Sequence, residues 1–487
     1  MAVGRLLPLL VAAGCAHPLV RPDIHKKRWL LVETEHISLR TDVGPNQARV
    51  HARFLELTWR LLASNYDRVA PGAALPQHRF AVIYLASCAD YDQIAWHSSS
   101  GLSAPIDEEQ VAITCGIRIF GGTPVHELAH LFNHHFFFAR LPRWVDEGLA
   151  DYYRTVQVDP RGRMVLGGVP LRTRHALNHL RSPPSLAALR ALPPDRFYAP
   201  DRELVNYACA WKLVHMLSST DPARLARFRR YLAALRAGAP EAGAWQQAFG
   251  DLPAGSLERA YAAYPDWTRV GPIASSDGLS PATTPRARVL RAGEAHVLWA
   301  GLLAIAHGDQ VADQLDAAED ADPGWPGLLY WRARLLHPPD DLDLLLAYIA
   351  RQPDDPKGWS ALVRARLRHA TVIDRDGLPV AQQDQLSPAA AEVKALIEHS
   401  SQSRALNTVA WYYALRRDPA AGLNFAMRAV QGEPSCADCW DTLALLYFEA
   451  RKVDLAVAAQ ERAVSIYAEH VPGVVRSRLQ LYRGARR

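Results

Sequence analysis

Residues 123–153 read TPVHELAHLFNHHFFFARLPRWVDEGLADYY. His126 and His130 are four residues apart, so in a helix they lie one turn apart on the same face. Thr123 as an N-cap and Pro124 at the first helical position predict where that helix begins. The pattern therefore predicts a helix on which two imidazoles can reach one metal ion.

Two glutamates extend this pattern. Glu147, on a second predicted helix, can supply a third ligand and leave one metal position for water, as in a catalytic rather than a structural zinc site. Glu127 directly follows the first histidine and is placed to take the proton from a water molecule that the metal activates. The alternative is a buried helix whose histidines only satisfy hydrogen bonds. Zinc is favoured over other divalent ions by ligand type alone.

Two aspartates and a glycine flank Glu147. Asp151 is four residues further on and shares its helix face, so its carboxylate can accept the second ring N–H of a ligating histidine. Asp146 can do the same for the other histidine. The alternative for Asp151 is an ordinary solvated helix acid. Gly148 leaves room for the close approach of the two helices.

The motif HELAH (126–130) with LPRWVDEGLADYY (141–153) resembles the gluzincin group of zinc metallopeptidases, closest to its bacterial peptidase-MA-like members. The likeness covers roughly residues 29–220. Upstream segments that share it are WLLVETEHISLRTD (29–42), FAVIYL (80–85) and VAITCG (111–116).

The resemblance implies roles for single residues. The implied Zn²⁺ ligands are His126, His130 and Glu147, and the implied general base is Glu127. Asp151 would then support His126, and Asp146 would support His130. Asp146 departs from better-known gluzincins, which often have asparagine there, and it adds negative charge near the metal.

Two further features concern the substrate and the transition state. Zincins bind a peptide as an added strand at the edge of a sheet, and Val111–Gly116 is where that edge strand should lie, unless it is a core strand. A developing oxyanion needs a hydrogen-bond donor. Tyr207 is the candidate, although Trp211 on the same face also fits a packed core tyrosine. His215 is the alternative donor.

The second half of the chain is predicted to be helical and repetitive. Pro353 precedes Trp359 by six residues, and Pro434 precedes Trp440 by the same interval. Together with recurrent small residues, this pattern resembles tetratricopeptide repeats, whose period is about 34 residues. Such repeats stack into a solenoid whose concave face commonly binds a peptide or protein. The alternative is a scaffold that only packs on the first domain.

The expected fold is an α+β zincin-like peptidase domain followed by an all-α tetratricopeptide-repeat solenoid. The expected parts are a lipoprotein signal peptide (1–15), a tether (16–28), the peptidase domain (29–270), a linker (271–292) and the repeat domain (293–487).

The N-terminal residues resemble a bacterial lipoprotein signal. Arg5 supplies positive charge, Leu6–Ala13 is apolar, and Cys15 follows small residues, so Cys15 would carry the lipid. The residue after Cys15 is Ala16 rather than aspartate, which by analogy with bacterial lipoproteins indicates the outer membrane, facing the periplasm. The alternative is an ordinary secretory signal cut near Ala16. The expected location is thus the bacterial cell envelope, with membrane contact through the lipid anchor.

Composition excludes some classes. The 487 residues carry a formal net charge of +5 and no long basic block, so nucleic acid is not an expected partner. The cysteines that follow Cys15 are few for an exported chain of this length, so no disulfide scaffold is expected. Cys436 and Cys439 have a spacing that fits a local disulfide or inert packing.

The expected function is an exported zinc-dependent peptidase that hydrolyses peptides or proteins, with a repeat surface available to a protein partner. The alternative is a non-catalytic lipoprotein adaptor with a degenerate zincin domain. Glu127 separates the two, because a degenerate domain has no need to keep the base together with both histidines and the third ligand.

Overall fold

The computed structural model describes residues 27–71, 75–76, 78–94, 101–107, 109–116, 122–137, 141–158, 164–180, 183–218, 221–264, 284–306, 310–336, 341–467 and 471–486. Cys15 and the expected signal peptide lie outside the described residues, as does 265–283, which holds much of the expected linker.

The strands in the described part of the chain are β1 (Leu30–Glu33), β2 (Ile37–Thr41), β3 (Phe80–Leu85), β4 (Gly101–Ile106), β5 (Glu109–Cys115), β6 (Gln157–Val158), β7 (Met164–Val165), β8 (Arg286–Val289), β9 (Thr371–Ile373) and β10 (Pro379–Ala381).

Its helices up to residue 264 are α1 (Pro45–Asp67), α2 (Cys88–Tyr91), α3 (Thr123–Phe136), α4 (Arg143–Tyr153), α5 (Leu171–His179), α6 (Leu186–Arg190), α7 (Pro194–Phe197), α8 (Glu203–Ser218), α9 (Pro222–Arg236), α10 (Glu241–Phe249) and α11 (Ser256–Ala262). The later helices are α12 (Ala292–Ala306), α13 (Val311–Ala321), α14 (Pro326–Leu335), α15 (Leu342–Arg351), α16 (Pro356–His369), α17 (Gln383–Leu386), α18 (Ala389–His399), α19 (Ser403–Leu415), α20 (Pro419–Gly432), α21 (Ala437–Glu449), α22 (Val453–Tyr467) and α23 (Gly473–Ala485).

A mixed sheet of order β4-β5-β3-β2-β1-β8 organises the first part of the chain. β3 lies between β2 and β5 and pairs parallel with both. The other pairs, which are β1 with β2, β1 with β8 and β4 with β5, are antiparallel. β3 is buried along its whole length. The expected α+β class of the first part is therefore confirmed.

The position of β5 decides between the alternatives for Val111–Gly116. β5 lies between β4 and β3, so this segment is a core strand and the edge-strand expectation is wrong. The physical reason is the tight turn at Asp107, which folds β4 back along the outer side of β5. β4 contains Pro105, a residue that sheets tolerate mainly on edge strands because it has no N–H to donate.

Helices cover both faces of the sheet. Val82 and Tyr84 of β3 join a core with residues of α1, α3, α4 and α8. The alternate residues Ala81 and Ile83 face the other side and pack with α12, whose Trp299 is fully buried. β8 and α12, which follow the undescribed residues 265–283, therefore complete the sheet that the first part builds.

The second part consists of paired helices, which confirms its all-α prediction apart from the small β9–β10 hairpin. α19 begins at Ser403 and α21 at Ala437, which is 34 residues later. α19 packs with α20 and α21 packs with α22. Among the described helices, none is long and apolar enough to cross a membrane.

The paired tryptophans show why the repeat is visible in the sequence. The indole Nε1 of Trp359 donates to the carbonyl oxygen of Pro353 at 2.7 Å. Trp440 donates in the same way to Pro434 at 2.9 Å. The two copies therefore share one hydrogen bond at the start of α16 and of α21, so the six-residue spacing reports a common local structure.

Two disulfides occur in the described part of the chain. Cys88 at the start of α2 is bonded to Cys115 at the end of β5, a link that no spacing or motif predicted. Cys436 is bonded to Cys439, which decides between the two alternatives for that pair. Cys209 is a buried free thiol.

Candidate metal centre

Two neighbouring helices, α3 and α4, bring the motif residues together. α3 begins at Thr123, so this residue is already helical and the N-cap is Gly122 at φ 85°, a left-handed conformation that glycine adopts readily. Pro124 lies in the first turn, where its missing N–H costs little. α4 begins at Arg143, directly after Pro142.

Gly148 sets the position of α4, but not as the sequence indicated. A Cβ atom at residue 148 would lie 2.7 Å from Val214 Cγ2 and 2.8 Å from the carbonyl oxygen of Ala210, both on α8. The close approach that glycine permits is therefore between α4 and α8 rather than between the two motif helices. α8 in this way supports the back of the helix that carries Glu147.

Three side-chain atoms converge between α3 and α4. His126 Nε2 and His130 Nε2 lie 3.0 Å apart. Glu147 Oε2 lies 3.3 Å from the first of these nitrogens and 3.4 Å from the second. Ligand atoms around a tetrahedral Zn²⁺ at its usual bond lengths are separated by about 3.3 Å, so the group has the size of one metal site.

The other ring nitrogens of both histidines face carboxylates. His126 Nδ1 lies 3.0 Å from Asp151 Oδ1, and His130 Nδ1 lies 3.0 Å from Asp146 Oδ1. Because a carboxylate accepts, these short distances favour the tautomer with its proton on Nδ1, which leaves a lone pair on Nε2 of each neutral ring. This is the arrangement in which outer carboxylates orient metal-binding histidines.

With both rings in this neutral form, which metal binding requires, all three converging atoms are acceptors. Glu147 Oε2 is buried and has no hydrogen-bond partner among the described residues. Buried acceptors that face one another are unfavourable unless a proton or a cation lies between them. The group of His126, His130 and Glu147 can hold a metal ion, and a divalent cation would satisfy all three atoms at once.

The two outer carboxylates have further partners that fix them. Arg154 Nη1 donates to Asp151 Oδ1 at 2.9 Å, and Asp151 is completely buried. Asn133 Nδ2 donates to Asp146 Oδ1 at 2.8 Å, and Arg143 lies 3.6 Å from the other oxygen of the same carboxylate.

Opposite charges in this group shift one another's pKa values. Burial opposes a charge on His130, but the carboxylates of Asp146 and Glu147 outweigh it and raise the pKa of this imidazole well above its ordinary value. Burial alone would raise the pKa of Glu147, yet the two histidines hold the pKa of this carboxyl well below its ordinary value. Without a metal ion, a proton on His130 therefore supplies the positive charge that keeps Glu147 ionised, and a bound cation would replace that proton.

Glu127 lies on α3 next to this group and is buried. Burial raises the pKa of its carboxyl, and the neighbouring histidines oppose that shift. A Cβ atom at Gly101 would lie 2.7 Å from Glu127 Oε1. The edge strand β4 thus begins directly against this carboxylate.

Two tyrosines lie beside the group. The ring of Tyr207, half-buried on α8, has its centroid 6.3 Å from that of His126. Tyr198, at the end of α7, donates its hydroxyl to Glu147 Oε1 at 2.5 Å. Sequence reasoning missed Tyr198, because the short segment that carries it has no periodic pattern or motif to mark it.

His215 is engaged elsewhere. Its Nδ1 lies 2.8 Å from the hydroxyl of Tyr264, and its Nε2 lies 3.2 Å from the carbonyl oxygen of Gly167. The ring also lies close to Trp211 within the core. Of the two donors that the sequence indicates, Tyr207 is the one that borders His126.

A second group of similar residues lies near the start of the sheet. Glu35, His36 and Glu56 also place ligand-type atoms close together. However, Arg60 Nε donates to Glu56 Oε1 at 2.9 Å, and Thr34 Oγ1 donates to Glu56 Oε2 at 2.8 Å. The buried carboxylate is therefore already satisfied by donors of the protein.

Comparison with known proteins gives a family match over part of the chain. Residues 122–236 match a family described as "Protein of unknown function (DUF1570)". This range contains both motif helices and the two tyrosines. A search of curated proteins found no match.

Three solved structures are similar to parts of the chain at low scores. A thermophilic TPR protein from Thermus thermophilus has 20% identity and a TM-score of 0.30, over 40% of this chain and 98% of that chain. Human IFIT1, as a dimer with m7Gppp-AAAA, has 15% identity and a TM-score of 0.31, over 65% and 68% of the two chains. The P58(IPK) TPR domain has 13% identity and a TM-score of 0.22, over 59% and 82%.

Proposed function

We propose that this protein is an exported zinc-dependent peptidase that hydrolyses peptide bonds with Glu127 as general base. The observation that carries the proposal is the convergence of His126 Nε2, His130 Nε2 and Glu147 Oε2, three acceptors within 3.4 Å of one another, on a buried position that only a cation or a proton can satisfy.

Those three residues would hold the metal, with Asp151 and Asp146 fixing the tautomers of the histidines. Zn²⁺ bound there would polarise the scissile carbonyl and lower the pKa of a water molecule so that it can attack. Glu127 would take the proton from the attacking water and pass it to the leaving amine.

The two tyrosines have separate parts in this proposal. Burial and the charge of Glu147 raise the pKa of Tyr207, so its hydroxyl stays protonated and can donate to the oxyanion that develops on the substrate. Tyr198 bonds one oxygen of Glu147 and leaves Oε2 directed at the histidines, which makes it a positioning residue.

The substrate is expected to lie along β4. This strand is the edge of the sheet in the described part of the chain, and its first residue packs against Glu127. A peptide that pairs with β4 would extend the sheet and pass over the candidate centre.

Location and partner form the rest of the proposal. Cys15 would carry a lipid that anchors the protein in the cell envelope, and the two disulfides support an oxidising compartment. The paired helices would offer a surface to a protein partner, as such repeats commonly do.

We expect Cys15→Ser to release the protein from membranes. Persistent membrane attachment of that variant would contradict lipidation.

The deciding experiment combines metal analysis with a broad peptide library, on the wild-type protein and on Glu127→Gln. We expect about one zinc per chain in both, cleavage by the wild type, and a loss of rate on the order of 10²- to 10⁴-fold or more in the variant. Full activity of Glu127→Gln would remove this residue from the mechanism. A metal-free wild type without cleavage would favour the adaptor alternative.

A further inference from the structure

We infer that Asp107 is a positioning residue that couples the helical repeats to the candidate metal centre by fixing the edge strand β4. The inference rests on the proposed function only in assigning β4 to the substrate. The mechanical coupling itself follows from contacts at the two ends of this strand.

Asp107 ties the far end of β4 to the second part of the chain. The hydroxyl of Tyr330 donates to Asp107 Oδ2 at 2.5 Å, and Arg334 Nε donates to Asp107 Oδ1 at 2.7 Å. Both partners lie on α14, more than 220 residues away in sequence. The Asp107 side chain is only 6% exposed, so this ion pair is shielded from solvent.

The backbone of Asp107 is also constrained. Its φ of 56° lies in the left-handed region, which aspartate tolerates better than most residues. The bonds to α14 therefore act on the residue that directly follows β4, at the end of the β4–β5 pairing where Ile106 lies opposite Glu109.

Ile106, the residue before Asp107, contacts a second helix of the later part of the chain, α12. A Cβ atom at Gly301 of α12 would lie 2.9 Å from Ile106 Cγ2, so glycine is needed for the strand to approach this helix. Ile106 is buried in the same core as Trp299. Two independent contacts, one ionic and one apolar, thus hold the end of β4 on the helical part.

The opposite end of β4 meets the candidate centre. A Cβ atom at Gly101 would lie 2.3 Å from Thr123 Cγ2 and 2.7 Å from Glu127 Oε1, both on α3. β4 therefore runs from Gly101, which lies beside the proposed general base Glu127, to Ile106, which precedes Asp107 and its bonds to α14. Loss of the Asp107 contacts would loosen the strand whose backbone would pair with substrate above Glu127.

Hydrogen–deuterium exchange of the full-length protein tests this without requiring catalysis. The variants are Asp107→Asn, which keeps a side chain that tolerates the left-handed region but removes the charge, and the milder Tyr330→Phe. Asp316→Asn is the matched control, because it removes the ion pair that Asp316 forms with Arg332 of the same helix α14 without touching the sheet.

We expect exchange in residues 101–106 to rise about tenfold in Asp107→Asn and severalfold in Tyr330→Phe, with no change in α21 and no change in the control. Zinc affinity should stay within about twofold of wild type, and peptidase KM should rise more than kcat falls. Unchanged exchange in both variants would overturn the inference, as would a uniform rise throughout the chain.

The two proposals fail separately in this design. A wild-type protein that cleaves no peptide refutes the proposed function, yet the exchange result still decides whether Asp107 fixes β4.

Discussion

Two groups of histidine and carboxylate side chains in the described part of the chain differ in how their charges are balanced. His126, His130 and Glu147 direct three acceptors at one point, and Glu147 Oε2 has no donor among the described residues. In the group of His36 and Glu56, donors of the protein already satisfy the buried carboxylate.

Proximity of ligand-type atoms alone therefore does not make a metal site. In the second group the positive charge of Arg60 is built into the fold, and the bonds to Glu56 from His36, Thr34 and Arg60 lower the pKa of its carboxyl against the effect of burial. Among the described residues, His126 and His130 are the main groups that oppose the negative charge of Glu147 in the first group. The first group therefore takes its positive charge from a proton that a metal ion can replace, whereas Arg60 is a permanent cation of the second group.

The largest expected effect comes from removing a histidine of the first group, with the matching removal in the second group as its control. His130→Ala should lower zinc affinity by more than the roughly 10- to 100-fold that loss of a supporting carboxylate causes, and should abolish hydrolysis. His36→Ala should retain one zinc per chain and full activity. Isothermal titration with Zn²⁺ measures both. Equal losses in the two variants would erase the distinction between the groups.

The next largest effects are expected at Asp151 and Asp146, the carboxylates that face His126 and His130. Asp151→Asn should lower zinc affinity about 10- to 100-fold, because an amide holds the His126 tautomer less firmly than a carboxylate. Asp146→Asn should have a smaller effect, since its side chain is 19% exposed whereas that of Asp151 is fully buried. Competition with a chelator gives both values. A larger effect at Asp146 would contradict this ranking.

Gly101→Ala tests how closely β4 packs on the general base. The added methyl group would lie 2.3 Å from Thr123 Cγ2 and 2.7 Å from Glu127 Oε1, so both side chains must shift. We expect kcat/KM to fall about 10- to 100-fold with zinc affinity unchanged. Gly473→Ala is the control, because nothing lies within 4 Å of its added Cβ. Activity equal to wild type in Gly101→Ala would contradict the view that close packing of β4 fixes the position of Glu127.

The smallest expected effect concerns Glu449, a partly buried carboxylate outside both groups. Burial raises the pKa of Glu449 to about 7, although Arg417 opposes the shift, and its Oε2 has no partner among the described residues. Between the ordinary value of 4.5 and about 7 the folded protein binds more protons than the unfolded chain, so stability falls as pH rises through this window.

Glu449→Gln should flatten that slope, and its thermal midpoint should exceed that of wild type by more at about pH 8 than at about pH 5. Differential scanning calorimetry at both values provides the comparison. A difference between variant and wild type that is independent of pH would contradict the raised pKa.

Features with short sequence spacing were predictable. His126 and His130 share a helix face because of the helical period, and Glu147 and Asp151 do so for the same reason. The interval from proline to tryptophan in two repeats reports a single local hydrogen bond. In each case the signal and the structure lie within a few residues of one another.

Features that depend on distant pairing were not predictable. β5 carries the same buried pattern whether it lies at the edge or inside the sheet, so only the fold of the β4 hairpin could show its position. Tyr198 reaches Glu147 from a short helix without periodicity. Pairing of β8 with β1 and the Cys88–Cys115 disulfide likewise join segments with no common pattern.

Anomalous diffraction from crystals of the protein grown with Zn²⁺ would show directly whether the group of His126, His130 and Glu147 binds the metal. We predict one strong peak about 2.0–2.2 Å from His126 Nε2, His130 Nε2 and Glu147 Oε2, and no peak at Glu35, His36 and Glu56. A map without density between the two motif helices, or with zinc only at the second group, would contradict the account.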